Sequence, residues 1–146
     1  MSATAIQTSK PGKGIKAGLW VAQFLIAAVF LMAGFTKLTT PIPELAKMMP
    51  WAGEYPAWFV HGIALVDIAL VDIAGGIGIV VPALTRILPG LTVQAAIGCT
   101  VLQVLAMCFH LSRGEAAVVP LNLALLSLSL LVLWGRSRKA PILPRN

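Results

Sequence analysis

Seven side chains with titratable or hydrogen-bonding chemistry lie in or beside stretches that are otherwise apolar: Lys37, His61, Asp67, Asp72, Gln103, His110 and Asn122. Such groups are costly at bilayer depth, so by default they face other helices or a wet cavity. The densest stretch is Trp58–Pro82, WFVHGIALVDIALVDIAGGIGIVVP. It holds LVDIA twice, at 65–69 and 70–74, and then Gly75, Gly76 and Gly78. On a helix, His61 and Asp72 share one stripe with Leu65, Ile68, Gly75 and Ile79, because eleven residues make about three turns. Asp67 falls roughly 120–140° away from both. Two chemistries suit these acids. One is a proton-accepting or ligand-binding carboxylate in a cavity. The other is a neutral aspartic acid hydrogen-bonded to a neighbouring helix. The spacing predicts Asp72 inward, near the midplane and protonated. It predicts Asp67 in the outer half, charged and within reach of Lys37, Gln103 or Asn122.

Gln103 and His110 are seven residues apart on one helical face, which Cys99 and Thr100 flank. Lys37, His61, Asp67, Gln103, His110 and Asn122 together would line an outward-opening polar funnel. The plainer reading of Gln103 and Asn122 is interhelical hydrogen bonding, worth about 0.6 kcal/mol per bond. Gln23 and Gln94 sit at matching depths nearer the other side and are expected to pair in the same way.

Other chemistries find less support. His61 and His110 at one level invite bis-histidine haem ligation, but both fall near an interface, where a histidine is simply solvated; haem is not expected. A zinc site lacks a third ligand set, so no metal centre is predicted. No Ser-His-Asp order, P-loop or G-x-G-x-x-G is present, and no autonomous catalytic constellation is legible. Gly75-Gly76-x-Gly78 lies inside an apolar span and reads as a helix-packing signal. Cys99 and Cys108 are nine residues apart, on opposite helical faces about 13.5 Å apart along the axis, and cannot bridge. Arg113 and Glu115 read as a turn ion pair of little energetic weight.

These groups are positioned by long apolar elements. The chain is 58% hydrophobic and only 11% charged, against about 25% charged in soluble domains. The net charge of +6 does not point to nucleic acid, because the basic residues flank apolar segments with no basic stripe interleaved with aromatics. Residues 1–16 read as a polar tail. Helices are expected at about 17–36, 57–81, 89–111 and 118–135, and residues 137–146 read as a second basic tail. Four prolines between 38 and 57 forbid one long helix there and leave a short interfacial segment. The expected fold is an all-α, integral membrane, antiparallel four-helix bundle.

Four spans put both termini on one side. That side holds Lys10, Lys13, Lys16, Arg86, Arg136, Arg138, Lys139 and Arg145. The other holds Lys37, Lys47 and Arg113 with Glu44, Glu54 and Glu115. The bias favours cytoplasmic termini. Trp20 and Trp134 then fall at the inner interface, and Trp51 and Trp58 at the outer.

Several motifs stand in a telling order: AGFTKL (33–38), PAW (56–58), GGIGIVVPALTRILPGLTVQAA (75–96), FHLSRGE (109–115), Asn122 and the closing WGR (134–136). In these the chain resembles the DoxX-like family of small four-helix bacterial membrane proteins, over about residues 17–136. The family is named for a subunit of a terminal quinol and thiosulfate-oxidising system, and some relatives are placed in membrane oxidoreductase complexes. The resemblance implies residence in the bacterial inner membrane. It also implies a non-autonomous subunit or accessory role in redox metabolism, with a quinone as ligand and a membrane or peripheral oxidoreductase as partner. It leaves a homo-oligomer open. The chain departs from the family at one place. The family pattern has a single acid, usually Glu, in helix 2 close before the glycines. Counting back from Gly75 assigns that place to Asp72; counting forward from Trp58 assigns it to Asp67. The second LVDIA therefore looks like a five-residue tandem insertion. A small-solute or lipid-binding transporter is the alternative function, weakened by the lack of an inverted repeat. An autonomous membrane enzyme ranks last.

A cysteine placed after residue 140 is expected to escape an impermeant thiol reagent in intact cells and to react once they are permeabilised. Labelling of intact cells would reverse the orientation.

Overall fold

The computed structural model describes residues 10–145, and for Ile63, Ala64, Leu65 and Asp67 the backbone alone. Every regular element of the described chain is a helix, with no strand among the described residues. Helix α1 runs Lys13–Thr39, so it starts inside the stretch expected to be a tail. Two short helices follow, α2 (Ile42–Met48) and α3 (Trp51–Glu54), each begun at a proline that donates no backbone hydrogen bond. The next rod starts with a single turn, α4 (Ala57–Phe59), passes through a π-helical stretch at Val60–Leu65, and continues as α5 (Val66–Thr85). Helix α6 is Gly90–Ser112. A 3₁₀ turn (Ala116–Val118) leads into α7 (Val119–Trp134), which ends in a π-helical stretch at Gly135–Lys139. Four segments are long and apolar enough to cross a membrane: 13–39, 68–85, 90–112 and 116–139.

Pro82 was expected to end the second long helix, yet α5 continues through it to Thr85. The missing N–H costs one hydrogen bond of the last turns, a loss that apolar packing tolerates in membrane helices. Pro82 is itself buried. Arg86 and Leu88 then take positive φ angles of 59° and 48°, closing the turn into α6 in four residues.

Helix α1 packs chiefly on α5, and α6 packs on both α5 and α7. Close pairs between α1 and α5 join Gln23 to Ile79, Leu31 to Gly76, and Gly34 to Ala69 and Ile73. The sequence order is reversed, so these two helices run in opposite directions. The core between them is Ala22, Ile26, Ala27, Phe30, Ile79 and Val80, extended by Ala96, Cys99, Leu125 and Val132. The outer faces stay apolar too: Val21, Phe24, Met32, Phe35, Leu70 and Leu105 are at least half exposed. A helix apolar on all sides is one whose outer face meets lipid.

The bundle has a tail end, carrying the start of α1, the 86–89 turn and residues 135–145, and a cap end, carrying α2 and α3. At the cap end Leu45, Trp51, Ala52 and Val60 form a second small core. Trp51 was placed among lipid headgroups by the sequence reading. It is instead buried there, edge-on to Phe109 at a centroid distance of 6.1 Å, because the proline-rich segment folds back over the helix ends. Trp58 is 70% exposed.

Glycines set the helix separations. A Cβ on Gly76 would lie 2.8 Å from Leu31 Cγ, and one on Gly78 would lie 3.0 Å from Ala95 Cβ. On Gly34 it would lie 2.7 Å from Ile73 Cγ1 and 2.9 Å from the Ala69 carbonyl oxygen, which belongs to backbone and cannot move aside. Gly34→Ala is therefore expected to destabilise the protein by about 1–3 kcal/mol in detergent unfolding. Gly18→Ala, where a Cβ meets nothing within 4 Å, should leave stability unchanged or slightly raised. Equal effects would show that the close approach of α1 and α5 does not depend on Gly34.

Candidate functional site

The sequence AGFTKL places Lys37 three residues after Gly34, in the last turn of α1. Helical Cβ atoms tilt toward the N-terminus, so the Lys37 stem lies back along α1 toward the bundle centre. Gly34 brings the α5 backbone close at that level. The ammonium then meets the Asp72 carboxylate in a direct ion pair. The two side chains are only 12% and 7% exposed. The spacing put Asp67 within reach of Lys37, Gln103 or Asn122 and left Asp72 neutral. Lys37 instead reaches inward to Asp72, and the Asp67 side chain lies outside the described residues.

The other candidates are dispersed. Gln103 and Asn122 are both buried. The Gln103 Oε1 and Asn122 Nδ2 atoms have no hydrogen-bond partner among the described residues. His61 is exposed, in the π-helical stretch before α5. His110 lies at the end of α6, its Nδ1 2.6 Å from Glu115 Oε2. Glu115 also accepts from Arg113 Nε at 2.8 Å, and Arg113 Nη2 donates to Glu54 of α3 at 2.8 Å. His110 first, then Arg113, hold the Glu115 carboxyl below its ordinary value; Glu115 and Glu54 hold the Arg113 guanidinium above its own. The expected turn pair is thus part of a four-residue cluster that ties α3 to the end of α6. Among the described residues, no three His, Cys, Asp or Glu side chains gather as metal ligands.

Two cavities, each about 240 Å³, flank the bundle core. Neither is the outward-opening funnel expected from the sequence. One is an apolar cleft lined by Phe30, Val71, Ala74, Gly75, Ala95, Gly98, Cys99 and Leu102. Asp72 lies within one residue of this lining on α5, and Gln103 follows Leu102 and stands one turn beyond Cys99 on α6. The other cavity is at the tail end, beside Thr92 and Arg136.

Reading the sequence missed the polar arrangement at that end. Gln23 was matched with Gln94, which is exposed. Gln23 instead accepts from Arg136 Nε at 2.7 Å and donates to the Ile79 carbonyl at 2.5 Å. The available signal was Gly135 immediately before Arg136. A Cβ there would collide with the Leu19 side chain, so the Arg136 turn lies directly on α1.

A family model described as the DoxX-like family matches residues 21–132. The chain belongs to the DoxX-like family. The match spans all four long helices and includes Lys37, Asp72, Gln103 and Asn122. Arg136 lies just beyond it. No curated protein and no solved structure matches this DoxX-like chain.

Removing one partner of a buried ion pair leaves the other charge uncompensated, at a cost of about 3–5 kcal/mol. Lys37→Met and Asp72→Leu should each destabilise this DoxX-like protein by about that much. Combining Lys37→Met with Asp72→Leu should recover most of the loss. Detergent unfolding of the four proteins measures the coupling, and strictly additive losses would refute the pairing.

Proposed function

We propose that the protein is a non-autonomous subunit or accessory of quinone-linked redox metabolism. It sits in the bacterial inner membrane with both termini cytoplasmic and works beside a membrane or peripheral oxidoreductase. The observation that carries this reading is the apolar cleft with polar groups next to its lining: the buried Lys37–Asp72 pair, and the buried Gln103 with an unpartnered oxygen. A quinone needs such a combination, apolar walls for its ring and a few polar groups for its oxygens. At about 240 Å³ the cleft is smaller than the roughly 300–1,000 Å³ of drug-sized sites. It suits a single ring, with the isoprenoid tail left among lipid chains.

The donor set fits both redox forms. Gln103 Oε1 would accept from a quinol hydroxyl, and the Lys37 ammonium would donate to a quinone oxygen. When bound, the quinone supplies the electron-carrying chemistry. The residues of this chain bind its ring, exclude water and hold a proton donor and an acceptor close to it. The basic flanks of the tail end support the orientation.

Gly98 lines the cleft, and a Cβ there meets nothing within 4 Å. Gly98→Leu should therefore fill the space without disturbing the backbone. Decylubiquinone binding to the purified protein in nanodiscs, followed by equilibrium dialysis, should weaken at least about tenfold in Gly98→Leu, since the ring loses its place. A wild-type protein that takes up no decylubiquinone, and that comes out of native membranes with lipid alone, would favour the lipid-binding alternative.

A further inference from the structure

The second cavity is a place where a positive charge is buried without a negative one. Arg136 is 5% exposed. Its Nε donates to Gln23 Oε1, its Nη1 donates to the Ala140 carbonyl at 3.3 Å, and its guanidinium stacks 4.9 Å from the Trp20 ring centroid. All three partners are neutral. Its Nη2 is buried and has no partner among the described residues. The Thr92 hydroxyl, fully buried, is unpartnered among them as well. Both residues line the same cavity of about 240 Å³, with Pro89 and Gly90 at the start of α6.

Three considerations identify what belongs there. The first is charge. The chain has five acidic residues. Glu44, Glu54 and Glu115 are at the cap end, Asp72 is engaged with Lys37, and Asp67 lies farther from the tail end than Asp72. Among the described residues no carboxylate meets Arg136. A buried guanidinium without a counter-charge is strongly unfavourable. The second is the field of α6. Its first turn opens at the cavity, and the positive end of a 23-residue helix favours an anion. The third is size. A single water occupies about 30 Å³, so the cavity has room for a tetrahedral oxyanion. A water would also leave the charge unbalanced.

We propose that the tail-end cavity between the start of α6 and the Arg136 turn binds a phosphate group, held by Arg136 Nη2 and Thr92 Oγ1. The phosphate comes either from a lipid headgroup or from free inorganic phosphate. Arg is suited to this because Nη2 stays free after Nε is held by Gln23 and Nη1 by the Ala140 carbonyl. The tail forms one wall. Pro141 and Ile142 border the cavity. The residues after them are strapped to the 86–89 turn: Arg86 donates to the Leu143 and Pro144 carbonyls, and the Arg145 N–H donates to the Arg86 carbonyl. This site is at the opposite end from the Lys37–Asp72 pair and shares no residue with the quinone cleft, so the two readings stand or fall separately.

The test uses the full chain in a maltoside detergent free of phosphate. Thermal unfolding is followed on adding inorganic phosphate in one arm and phosphatidylglycerol in the other. At saturation the midpoint should rise by at least about 2 °C in one or both arms. A rise with phosphatidylglycerol alone identifies the lipid headgroup as the source. A rise with inorganic phosphate alone identifies the free ion, and a rise in both arms shows that the site takes either. The rise should vanish in Arg136→Gln and in Thr92→Val, and in Gly90→Leu, whose side chain enters open space beside the cavity. It should persist in Arg138→Gln, which removes an exposed charge outside the cavity. If Arg136→Gln fails to fold, Thr92→Val and Gly90→Leu decide. No rise in either arm overturns the proposal, as does a rise that survives in Thr92→Val and Gly90→Leu.

Discussion

A charge placed halfway along an apolar helix has to be balanced from within the chain, since lipid offers it nothing. Asp72 imposes that demand, and the neighbouring geometry answers it. Gly34 has no side chain, so α1 and α5 approach until Lys37 is within reach. The same approach fixes which face of α5 meets α1. Gly75 and Gly78 on its adjoining face then receive α6, and α6 in turn carries α7. The order of packing follows from one pair of opposite charges and the missing side chain beside it.

The two ends of the bundle handle charge differently. At the cap end Glu54, His110, Arg113 and Glu115 satisfy one another across three segments, close to water. At the tail end the positive groups outnumber any described negative partner, and one of them is buried. An end with balanced charges needs nothing from outside. An end with unbalanced ones leaves a charge to be met from outside the described residues.

The long helices were legible because apolar runs of about 20 residues have few other uses. The glycine cluster was legible as a packing signal for the same reason. Side-chain partners were not. Helical spacing gives angles around one axis but not the rise of one helix against another, so the Lys37–Asp72 pair was not foreseen. Gln23 was paired with Gln94 by depth alone, although Gln94 points out of the bundle. Arg136 was assigned to a basic flank because charge at a helix end is ordinarily solvated. The structure turns this arginine inward, with Gly135 set against Leu19 and Nε on Gln23. Trp51 was misplaced because a proline-rich connection gives no periodicity from which to read burial.

The π-helical stretch at 60–65 lies directly before the doubled LVDIA. If the second copy is an insertion, its five residues add about 500° of winding, which alone would turn everything on the far side by about 140°. One π-type slip absorbs a residue, taking back about 100°. What remains is near 400°, a single full turn and about 40° more. On that count the rod would grow by a turn while its two halves stay nearly in phase. Val60 packs with Leu45 and Trp51 at one end of the rod, and Ile79 and Val80 lie in the main core at the other. A wide turn of this kind would act as a vernier, reconciling an inserted pentapeptide with helix faces fixed at both ends.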